Sequence, residues 1–311
     1  MAAKTGTLVS IIVPSFNQGR YIRETIDSCL AQDYRPLEII VMDGGSRDET
    51  VSVLESYSAP ELRWRSEPDR GVVDAVNKGL QAARGDILTI QSSDDVFLPG
   101  AVTAAVNALT ERPEAGLVCG DVELIDANSQ MIGADELCDF DFAAYLGRLQ
   151  YIPQPGTFFT RQAMDAVGGW RDGMSYAADA DFWMRIACRF QVIKLRRRLA
   201  RYRYHDEQRD AQKAKIARDW KAAVGDLLAG DKLNARQKRY ARMGLHLADY
   251  RYAPPDAWRQ RTRALYAAAL TNPAAVFNRR FPKRELLPGR DPLWALLSRI
   301  KRRLGFAPRT G

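Results

Sequence analysis

The sequence predicts an α/β fold with a mostly parallel sheet flanked by helices, followed by a basic helical extension. Three observations support this prediction: strand and helix patterns alternate over the first hundred residues, the predicted strands are short apolar runs, and the connections are short. Nearly continuous apolar strands are typical of a sheet that is buried on both faces. A chain of 311 residues is long enough for one large domain or two modest ones.

The first elements follow in order along the chain. Residues 8–14 and 37–42 are rich in β-branched side chains and predict two strands. Between them, a helix is predicted by apolar residues that share one face: Ile22, Ile26, Cys29 and Leu30. A second helical stripe and a strand at residues 87–90 follow, the stripe consisting of Val73, Val76, Leu80 and Ala83.

The pattern is less regular after residue 115. Residues 116–125 predict a strand that ends in a turn at 126–129, and residues 179–190 predict a helix with Phe182, Ile186 and Phe190 on one side. Prolines then interrupt a basic helical region. We therefore expect an α/β domain over residues 1–206, whose less regular part is about 115–206, and a basic C-terminal region over 207–311.

The charge of the chain is divided unevenly. Residues 1–188 hold 15 basic and 28 acidic side chains, whereas residues 189–311 hold 31 and 10, and the whole chain has a net charge of +8. The ordinary composition argues against disorder, and no apolar run or leader predicts a membrane span or an export signal. Four widely spaced cysteines without a CxxC pair predict buried, reduced thiols in a cytoplasmic protein.

Small or acidic residues follow four of the predicted strands. Because parallel strands present their carboxyl ends at one edge of a sheet, we expect these side chains to converge on one crevice. The four segments are Pro14-Ser15-Phe16-Asn17, Asp43-Gly44-Gly45-Ser46, Ser66-Glu67-Pro68-Asp69-Arg70 and Ser92-Ser93-Asp94-Asp95.

Asp94 and Asp95 are a candidate site for Mg²⁺ or Mn²⁺, since hard divalent cations prefer carboxylate oxygens. The alternative is that the pair caps the helix that follows Pro99-Gly100. Asp43 at a neighbouring strand end favours the cation, because clustered carboxylates repel one another unless a cation or a donor occupies the site. No Walker A loop and no GxGxxG segment opening the first helix is present, which argues against P-loop hydrolysis and Rossmann dehydrogenase chemistry.

Several linked motifs resemble those of the family 2 glycosyltransferases. In order they are VPSFN, VMDGGSRDET, SEPDRGVVDAVNKGL, SSDD with FLPG, PQPGTFFTRQAMDAVGGW, AADADFWMRIA and YRYH, together covering roughly residues 7–206. The resemblance implies that residues 1–206 form a GT-A catalytic domain that binds a nucleotide sugar, with its acceptor side at about 115–206. It also implies an inverting transfer of sugar from a nucleotide-diphosphate sugar. A divalent cation, Mn²⁺ or Mg²⁺, is the implied cofactor.

The resemblance also implies roles for residues at matching positions. The implied donor-binding set is Pro14, Ser15, Phe16, Asn17, Asp43, Gly45, Ser46, Glu67, Asp69, Arg70, Asp74, Asn77, Lys78, Ser93 and Asp94. Asp94 matches the last carboxylate of the metal-binding DxD motif, with Asp95 and His205 as further candidate ligands. Asp179 matches the catalytic base.

The sequence departs from the family pattern at three positions. The commoner DDGS block is DGGS here, Ser92 replaces the first Asp of DxD, and Ala178 replaces the Glu of the usual Glu-Asp pair. A hydroxyl is a poor metal ligand, so Ser92 predicts weak affinity for the ion. Asp179 is favoured over Asp181 as the base because it lies four residues before Trp183, on the same helical face.

The acceptor site is predicted less specifically. Trp170 and Trp183 could stack on a sugar or pack in the core, and Gln154 beside the Pro155-Gly156 turn could bind acceptor hydroxyls. Asp181 is a further candidate, with a structural role as its alternative. His205, too, could be a structural histidine rather than a ligand.

The excess of basic residues in the C-terminal region predicts a surface that binds anionic ligands. Asp291-Pro292 starts a predicted helix with an apolar stripe flanked by cations, which is typical of an interfacial membrane helix. The alternative is a helix docked on the catalytic domain. Basic clusters at 196–198, 279–280 and 283–284 favour an anionic membrane surface, and no known reader motif favours nucleic acid.

The sequence thus predicts a cytoplasmic glycosyltransferase that is peripheral on the inner face of the cell membrane. It is expected to move a hexose or N-acetylhexosamine, with a UDP-sugar favoured as donor, to a saccharide carried on a polyprenyl diphosphate lipid. Two alternatives remain at this stage. One is a nucleotidyl- or phosphosugar-processing enzyme on the same fold, and the other is a non-catalytic sugar- or nucleic-acid-binding module.

Overall fold

In the computed structural model, which describes residues 6–205, 212–254 and 256–282, one nine-stranded sheet is flanked by helices. The strands are β1 (Val9–Ser15), β2 (Leu37–Asp43), β3 (Leu62–Ser66), β4 (Ile87–Ile90), β5 (Val96–Phe97), β6 (Ala115–Ile125), β7 (Met131–Asp135), β8 (Thr157–Thr160) and β9 (Gln191–Arg203). The helices are α1 (Ile22–Leu30), α2 (Thr50–Glu55), α3 (Val72–Ala82), α4 (Ala101–Glu111), α5 (Phe142–Leu146), α6 (Arg161–Val167), α7 (Ala178–Ala187), α8 (Lys213–Ala229), α9 (Ala235–Tyr252), α10 (Trp258–Thr271) and a 3-10 helix (Pro273–Phe277).

The first four strands form the parallel half of the sheet, in the order β3-β2-β1-β4. Alternate residues of β1, such as Ile11, pack in one core with Ile22 and Ile26 of α1. On the opposite face, Gly79 allows α3 to approach the sheet, since a Cβ there would lie 2.3 Å from Ile12. The predicted strand-helix alternation and the burial of β1 and β2 on both faces are confirmed.

The rest of the sheet is mixed. β8 pairs antiparallel with both β4 and β6, and β9 runs parallel to β6. β5 pairs antiparallel with β9, and β7 pairs antiparallel with β6. The strand order is β3-β2-β1-β4-β8-β6-β9-β5, with β7 beside β6. β3 differs from the apolar pattern because it is an edge strand, and Arg63, Trp64 and Arg65 are exposed. The prediction that the strands are apolar and buried on both faces therefore holds for β1 and β2 but not for β3.

After residue 115, the predicted strand and turn are found, and the predicted helix is found but is shorter than expected. β6 and the turn at 126–129 occur as predicted. The predicted helix over 179–190 is α7, which begins at Ala178 and ends at Ala187. It ends early because Gln191 already begins β9 and pairs with Ala115.

The chain divides into two compact units. The first comprises Met1–Asp141 and Tyr151–Ala223, and the second comprises Phe142–Gln150 and Val224–Gly311. The division thus lies within α8, later than the predicted boundary after residue 206. In the second unit, α5, α9, α10 and the 3-10 helix share an apolar core that includes Met243, Leu247 and Leu265. None of the helices in the described ranges is long and apolar enough to cross a membrane.

The arginines of β9 are largely paired with acidic residues of the neighbouring segments. Arg196 contacts Asp139 at 2.9 Å, and Arg198 lies 3.6 Å from Glu123 and 3.7 Å from Glu136. This cluster was predicted to favour a membrane surface, and its pairing weakens that argument. The predicted helix from Asp291 and the cluster at 283–284 lie outside the described residues.

None of the four cysteines forms a disulfide bond. Cys29 and Cys119 are buried as predicted, and burial raises the pKa of both thiols to about 12. Cys188 is half-buried, and Cys138 is exposed, contrary to the prediction for all four. The two buried thiols are protonated and inert at neutral pH.

A buried carboxylate joins the amino ends of β1 and β2, away from the strand ends that carry the predicted crevice. Glu38 accepts hydrogen bonds from the Ser10 hydroxyl (2.6 Å) and the Arg84 amide (2.7 Å), and pairs with Arg63 at 2.8 Å. Burial alone raises the pKa of this carboxyl, but the hydrogen bonds from Ser10 and Arg84 and the charge of Arg63 lower it below its usual value.

We expect Glu38→Gln to lower the free energy of unfolding at pH 7 by about 1.5–3 kcal/mol, the usual contribution of hydrogen bonds to a charged group. A carboxyl with a depressed pKa in the folded state stabilises the fold above its unfolded pKa and loses this effect as pH falls through the folded pKa. The difference between the two proteins should therefore shrink below about pH 4. Urea unfolding at several pH values measures it.

The control for this prediction is Glu61→Gln. Glu61 pairs with Arg35 at 3.3 Å, and both side chains are partly exposed. Exposed pairs contribute little, so we expect a change of less than about 0.5 kcal/mol. A loss at Glu38 that is the same at pH 7 and pH 3 would contradict the electrostatic explanation.

Candidate functional site

The carboxyl ends of β1, β2 and β3 place three polar residues in one row. Ser15 is in register with Asp43, and Asp43 is in register with Ser66. The Asp43 carboxylate is 2% exposed and accepts hydrogen bonds from the Ser46 amide (2.9 Å), the Ser46 hydroxyl (2.5 Å) and the Ser66 hydroxyl (2.6 Å). The structure thus brings the first three predicted strand ends together around one carboxylate.

The loop after β1 is tied to the loop after β2. The Asn17 amide donates to the Ser46 hydroxyl at 2.7 Å, and its side-chain oxygen accepts from the Arg47 amide at 3.0 Å. Asn17 has a positive φ of 53°, a conformation that asparagine tolerates better than most residues. Beside it, the ring of Phe16 is 57% exposed, so a flat apolar surface is available next to Asp43's loop.

Gly44 and Gly45 allow the loops after β2 and β3 to approach closely. A Cβ on Gly44 would lie 2.7 Å from a carboxylate oxygen of Asp69. Gly45 has a φ of +80°, which favours glycine. A side chain at position 44 would therefore collide with Asp69, so glycine is required for this approach of the two loops.

The third loop carries a paired network of charges. Lys78 contacts Asp74 at 3.0 Å and Glu67 at 3.4 Å, and Arg70 contacts Asp74 at 3.1 Å. The hydrogen bond from Lys78, with those from Arg70, lowers the pKa of Asp74 to about 2. These predicted donor-binding residues lie together, and their opposite charges are paired with one another.

Asn77, predicted as a donor ligand, is hydrogen-bonded to another loop, and its role toward the donor stays a prediction. Its amide donates to the backbone oxygen of Trp170 at 2.8 Å, and its oxygen accepts from the Trp170 amide at 2.9 Å. Both functional groups of the side chain are used in this way. Asn77 fixes the position of the segment before α7 relative to α3.

Asp94 and His205 meet at the end of β4, the strand beside β1. The His205 Nε2 lies 3.0 Å from Asp94 Oδ2, and the ring of Tyr21 lies 4.9 Å from the imidazole. The side chains of His205 and Asp94 are 5% and 16% exposed. Asp94 and His205, which are 111 positions apart in the sequence and were both predicted as metal ligands, therefore lie side by side.

Asp95 has a different environment. It is fully buried, and its carboxylate accepts a hydrogen bond from the Arg203 amide at 2.8 Å. Of the three predicted metal ligands, Asp94 and His205 therefore lie together, while Asp95 is bound to the backbone of β9. Neither aspartate caps the next helix, because α4 begins after Gly100 without a side-chain cap.

The predicted acceptor residues are engaged within the protein. Gln154 accepts from the Ser92 hydroxyl at 3.0 Å and donates to the Ile90 oxygen at 2.9 Å, which holds the end of β4. Trp170 is 5% exposed, and Trp183 is fully buried against aromatic neighbours, which favours the packing alternative for both. Acceptor contacts by these residues stay predictions.

Asp179 and Asp181 both lie in the first turn of α7 but differ in burial. Asp181 is 1% exposed and is bound by Arg171 and Arg185, which supports its structural alternative. Asp179 is half-buried at the start of the helix. The one carboxylate of this pair that retains exposed surface is the predicted base.

A cavity of about 800 Å³ lies beside His205, and several residues that line it were not predicted from the sequence. The cavity is lined by Asn17, Arg20, Tyr21, Arg47, Asp48, Glu49, Asp126, Ala127, Asn128, Tyr204 and His205. Asn17 and His205 were predicted, but Arg20 and Tyr21 were given no role. Their place directly after the first strand-end loop was the available signal.

The residues at this site fit a divalent cation that takes most of its ligands from a substrate. In the described ranges, no group of three or more His, Cys, Asp or Glu side chains is placed to hold a metal ion. Asp94 and His205 offer one carboxylate and one imidazole. Mg²⁺ and Mn²⁺ sites of this kind combine one or two protein ligands with phosphate oxygens.

Comparison with known sequences gives consistent matches. The sequence model of a family described as Glycosyl transferase family 2 matches residues 10–163. An uncharacterized glycosyltransferase of Mycobacterium tuberculosis is 33% identical over 193 residues, covering 60% of this chain and 72% of that protein. Glycosyltransferase GlyG of Streptococcus pneumoniae is 31% identical over 117 residues, covering 37% of this chain and 38% of that protein.

Two solved structures share the fold. S. aureus TarS in complex with UDP-GlcNAc has a TM-score of 0.66 at 16% identity, covering 89% of this chain and 82% of that chain. The mannosyltransferase PcManGT of Pyrobaculum calidifontis, in complex with GDP-Man and Mn²⁺, has a TM-score of 0.62 at 22% identity, covering 98% and 82%. At these identities the likeness concerns the fold, and it confirms the predicted GT-A arrangement of sheet and helices.

Proposed function

The chain belongs to glycosyl transferase family 2, and on that basis we propose that it moves a hexose or N-acetylhexosamine from a nucleotide-diphosphate sugar to a hydroxyl of a saccharide acceptor. The observation that carries the proposal is the Asp94–His205 pair, 3.0 Å apart at the end of β4, next to the row formed by Ser15, Asp43 and Ser66. The row supplies hydroxyls and a carboxylate for a nucleoside, and the pair supplies ligands near its diphosphate.

The loops after β1 and β2 would bind the nucleoside. Asp43 is held rigidly by four donors, so its carboxylate is pre-positioned for a base or ribose donor. Phe16 offers an exposed ring on which a flat base can stack. We propose a UDP-sugar as the donor, with Mn²⁺ or Mg²⁺ held by Asp94 and His205.

The bond from the anomeric carbon to the diphosphate breaks as the acceptor hydroxyl attacks. Asp94 and His205 would hold the divalent cation, which would neutralise charge on the leaving diphosphate without a proton transfer. Asp179, half-buried at the start of α7, would take the proton of the attacking hydroxyl as a general base. One base opposite one leaving group corresponds to a single displacement, so the anomeric configuration is inverted.

A panel of nucleotide sugars tests the donor site directly. Ligands that bind the folded state raise its stability in proportion to log concentration, by about 2.7 kcal/mol at 100 times Kd. We expect UDP-sugars with Mn²⁺ to raise the Tm of the full chain by several degrees, and EDTA to remove the effect. No shift with any nucleotide sugar and either cation would contradict the proposal.

The variant Asp94→Asn tests the cation site. Asparagine keeps the size of the side chain but removes the charge that attracts the cation, so we expect the Tm shift with Mn²⁺ and UDP-sugar to be lost and transfer to fall by at least about 10-fold. The Tm without ligand should change little, since asparagine can still form a hydrogen bond with the His205 Nε2. The control is Asp86→Asn, an exposed aspartate directly before β4 and at the opposite end of that strand, which should transfer at the wild-type rate. Full transfer by Asp94→Asn would contradict the assignment.

We propose further that the acceptor is a saccharide on a polyprenyl diphosphate lipid and that the protein acts as a peripheral protein at the inner face of the membrane. The support is the charge of the second unit: α9 has five basic residues and one acidic one, and α10 has three basic residues and none acidic. Trp258 on α10 is 64% exposed, as expected of an interfacial residue.

Liposome co-sedimentation tests the membrane proposal. Each basic residue near an anionic surface contributes about 1 kcal/mol, so we expect the chain to bind vesicles with 30% anionic lipid and to dissociate in high salt. A chain ending before Asp291 should bind more weakly, because it lacks the predicted basic helix. Absence of binding to anionic vesicles would contradict this part of the proposal. Equal binding of both chains would assign the contact to α9 and α10 and would contradict a role for residues 291–311.

A further inference from the structure

Arg203 is a fully buried arginine directly behind the Asp94–His205 pair. A buried guanidinium requires full hydrogen bonding and a counter-charge, because desolvation of an unpaired charge is costly. Arg203 meets this requirement with groups from three separate segments. Its surroundings therefore reveal what the side chain holds together.

The guanidinium connects the end of β4, helix α1 and the β6–β7 turn. Its Nε donates to the backbone oxygen of Asp94 at 2.7 Å, and its Nη2 pairs with Glu24 of α1 at 2.6 Å. Its Nη1 donates to the Ser129 hydroxyl at 2.8 Å and to the Asp126 oxygen at 3.1 Å. The planar fork of arginine makes these bonds in fixed directions, which a lysine cannot reproduce.

Two further contacts connect Arg203 with Asp95 and with His205: its backbone amide and the ring of Tyr21. The Arg203 amide donates to Asp95 at 2.8 Å, so both aspartates at the end of β4 are bound to this one residue. The Tyr21 ring lies 4.8 Å from the Arg203 guanidinium and 4.9 Å from the His205 ring. Both sides of the Asp94–His205 pair are thus in contact with Arg203 or with a ring that it supports.

We infer that Arg203, held by Glu24, is a positioning residue that sets the relative placement of Asp94 and His205. The inference rests on the proposed function, in which these two side chains hold the cation of the nucleotide sugar. Arg203 itself, being fully buried, reaches neither the cation nor the sugar. It acts by fixing the Asp94 backbone and the base of the segment that carries His205.

The test measures Mn²⁺ binding to the full chain by electron paramagnetic resonance of free Mn²⁺, with UDP or GDP present. Loss of a group that orients metal ligands weakens metal binding by about 10- to 100-fold, which we expect for Arg203→Lys. Glu24→Gln removes the counter-charge but leaves one acceptor oxygen, and its effect should be smaller, about 3- to 10-fold. Saturating Mn²⁺ should restore nucleotide binding in both variants.

A matched pair on the same strand provides the control. Arg201 contacts Glu123 at 3.0 Å, two residues before Arg203, in a partly exposed ion pair. Arg201→Lys and Glu123→Gln should bind Mn²⁺ within 2-fold of the wild type. A purely structural role for Arg203 predicts a lower Tm with unchanged Mn²⁺ affinity in the folded protein.

The outcomes separate the two levels of the proposal. If the wild type binds Mn²⁺ with a nucleotide but folded Arg203→Lys binds it within 2-fold, the inference is overturned and the proposed function stands. Should Arg203→Lys fail to fold, Glu24→Gln decides, since the Glu24 side chain is 38% exposed. Absence of Mn²⁺ binding by the wild type with either nucleotide would overturn both.

Discussion

Asp179→Asn should lower the rate of sugar transfer by about 10²–10⁴-fold, the usual contribution of a positioned general base. The amide of asparagine has nearly the same shape as the carboxylate but cannot accept the proton of the acceptor hydroxyl. Binding of the donor does not involve this proton. We therefore expect the Tm shift produced by nucleotide sugar and Mn²⁺ to be unchanged, while single-turnover transfer is lost.

The control for this prediction is Asp165→Asn on α6, an exposed aspartate in the preceding helix. It should transfer sugar at the wild-type rate. Full activity of Asp179→Asn with each donor that binds would show that another group takes the proton. A loss of both transfer and donor binding would instead indicate that Asp179 contributes to the donor site.

The strand ends could be predicted from the sequence because parallel strands have a fixed polarity. Once residues 9–15 and 37–43 are recognised as neighbouring parallel strands, Ser15 and Asp43 must lie side by side, and the register confirms this. The pattern of apolar residues also places α1 and α3 on the sheet. Local periodicity and chain direction are sufficient for this half of the fold.

Arg203 could not be predicted in the same way. Its side-chain partners Ser129 and Glu24 are 74 and 179 positions away, and no local pattern distinguishes it from the other arginines of β9. The same reason explains why the pairing of the arginines at residues 196–198 could not be predicted from the sequence. A count of charges does not include acidic partners across the sheet, such as Asp139 and Glu123.

The acceptor candidates show a further limit. Tryptophan, glutamine and aspartate suit both sugar binding and internal packing, so residue type alone leaves two roles open for each. Burial separates them: Trp183 is enclosed, and Gln154 is occupied by Ser92 and the Ile90 backbone. Burial depends on elements distant in sequence, since Trp183 packs against Phe159 of β8.

Asp181→Asn should lower the stability of the fold, whereas Asp179→Asn should lower the rate of transfer. The reason is that Asp181→Asn breaks a buried network of ion pairs. Asp181 is bound by Arg171, and by Arg185 at 2.8 Å. Arg185 also donates to the backbone oxygens of residues 167 and 169, and burial lowers the pKa of its guanidinium. Removing one partner of such a pair typically costs about 3–5 kcal/mol, since the remaining charges stay buried.

Urea unfolding at pH 7 measures this loss, and Asp139→Asn is the matched control. Asp139 pairs with Arg196 on the exposed surface, so its replacement should leave the unfolding midpoint unchanged. Asp181→Asn that is still folded at low temperature should bind nucleotide sugar, because the donor loops lie at other strand ends. If Asp181→Asn instead kept wild-type stability and lost transfer, the proton would be assigned to Asp181, and Asp179 would become the residue that supports the helix.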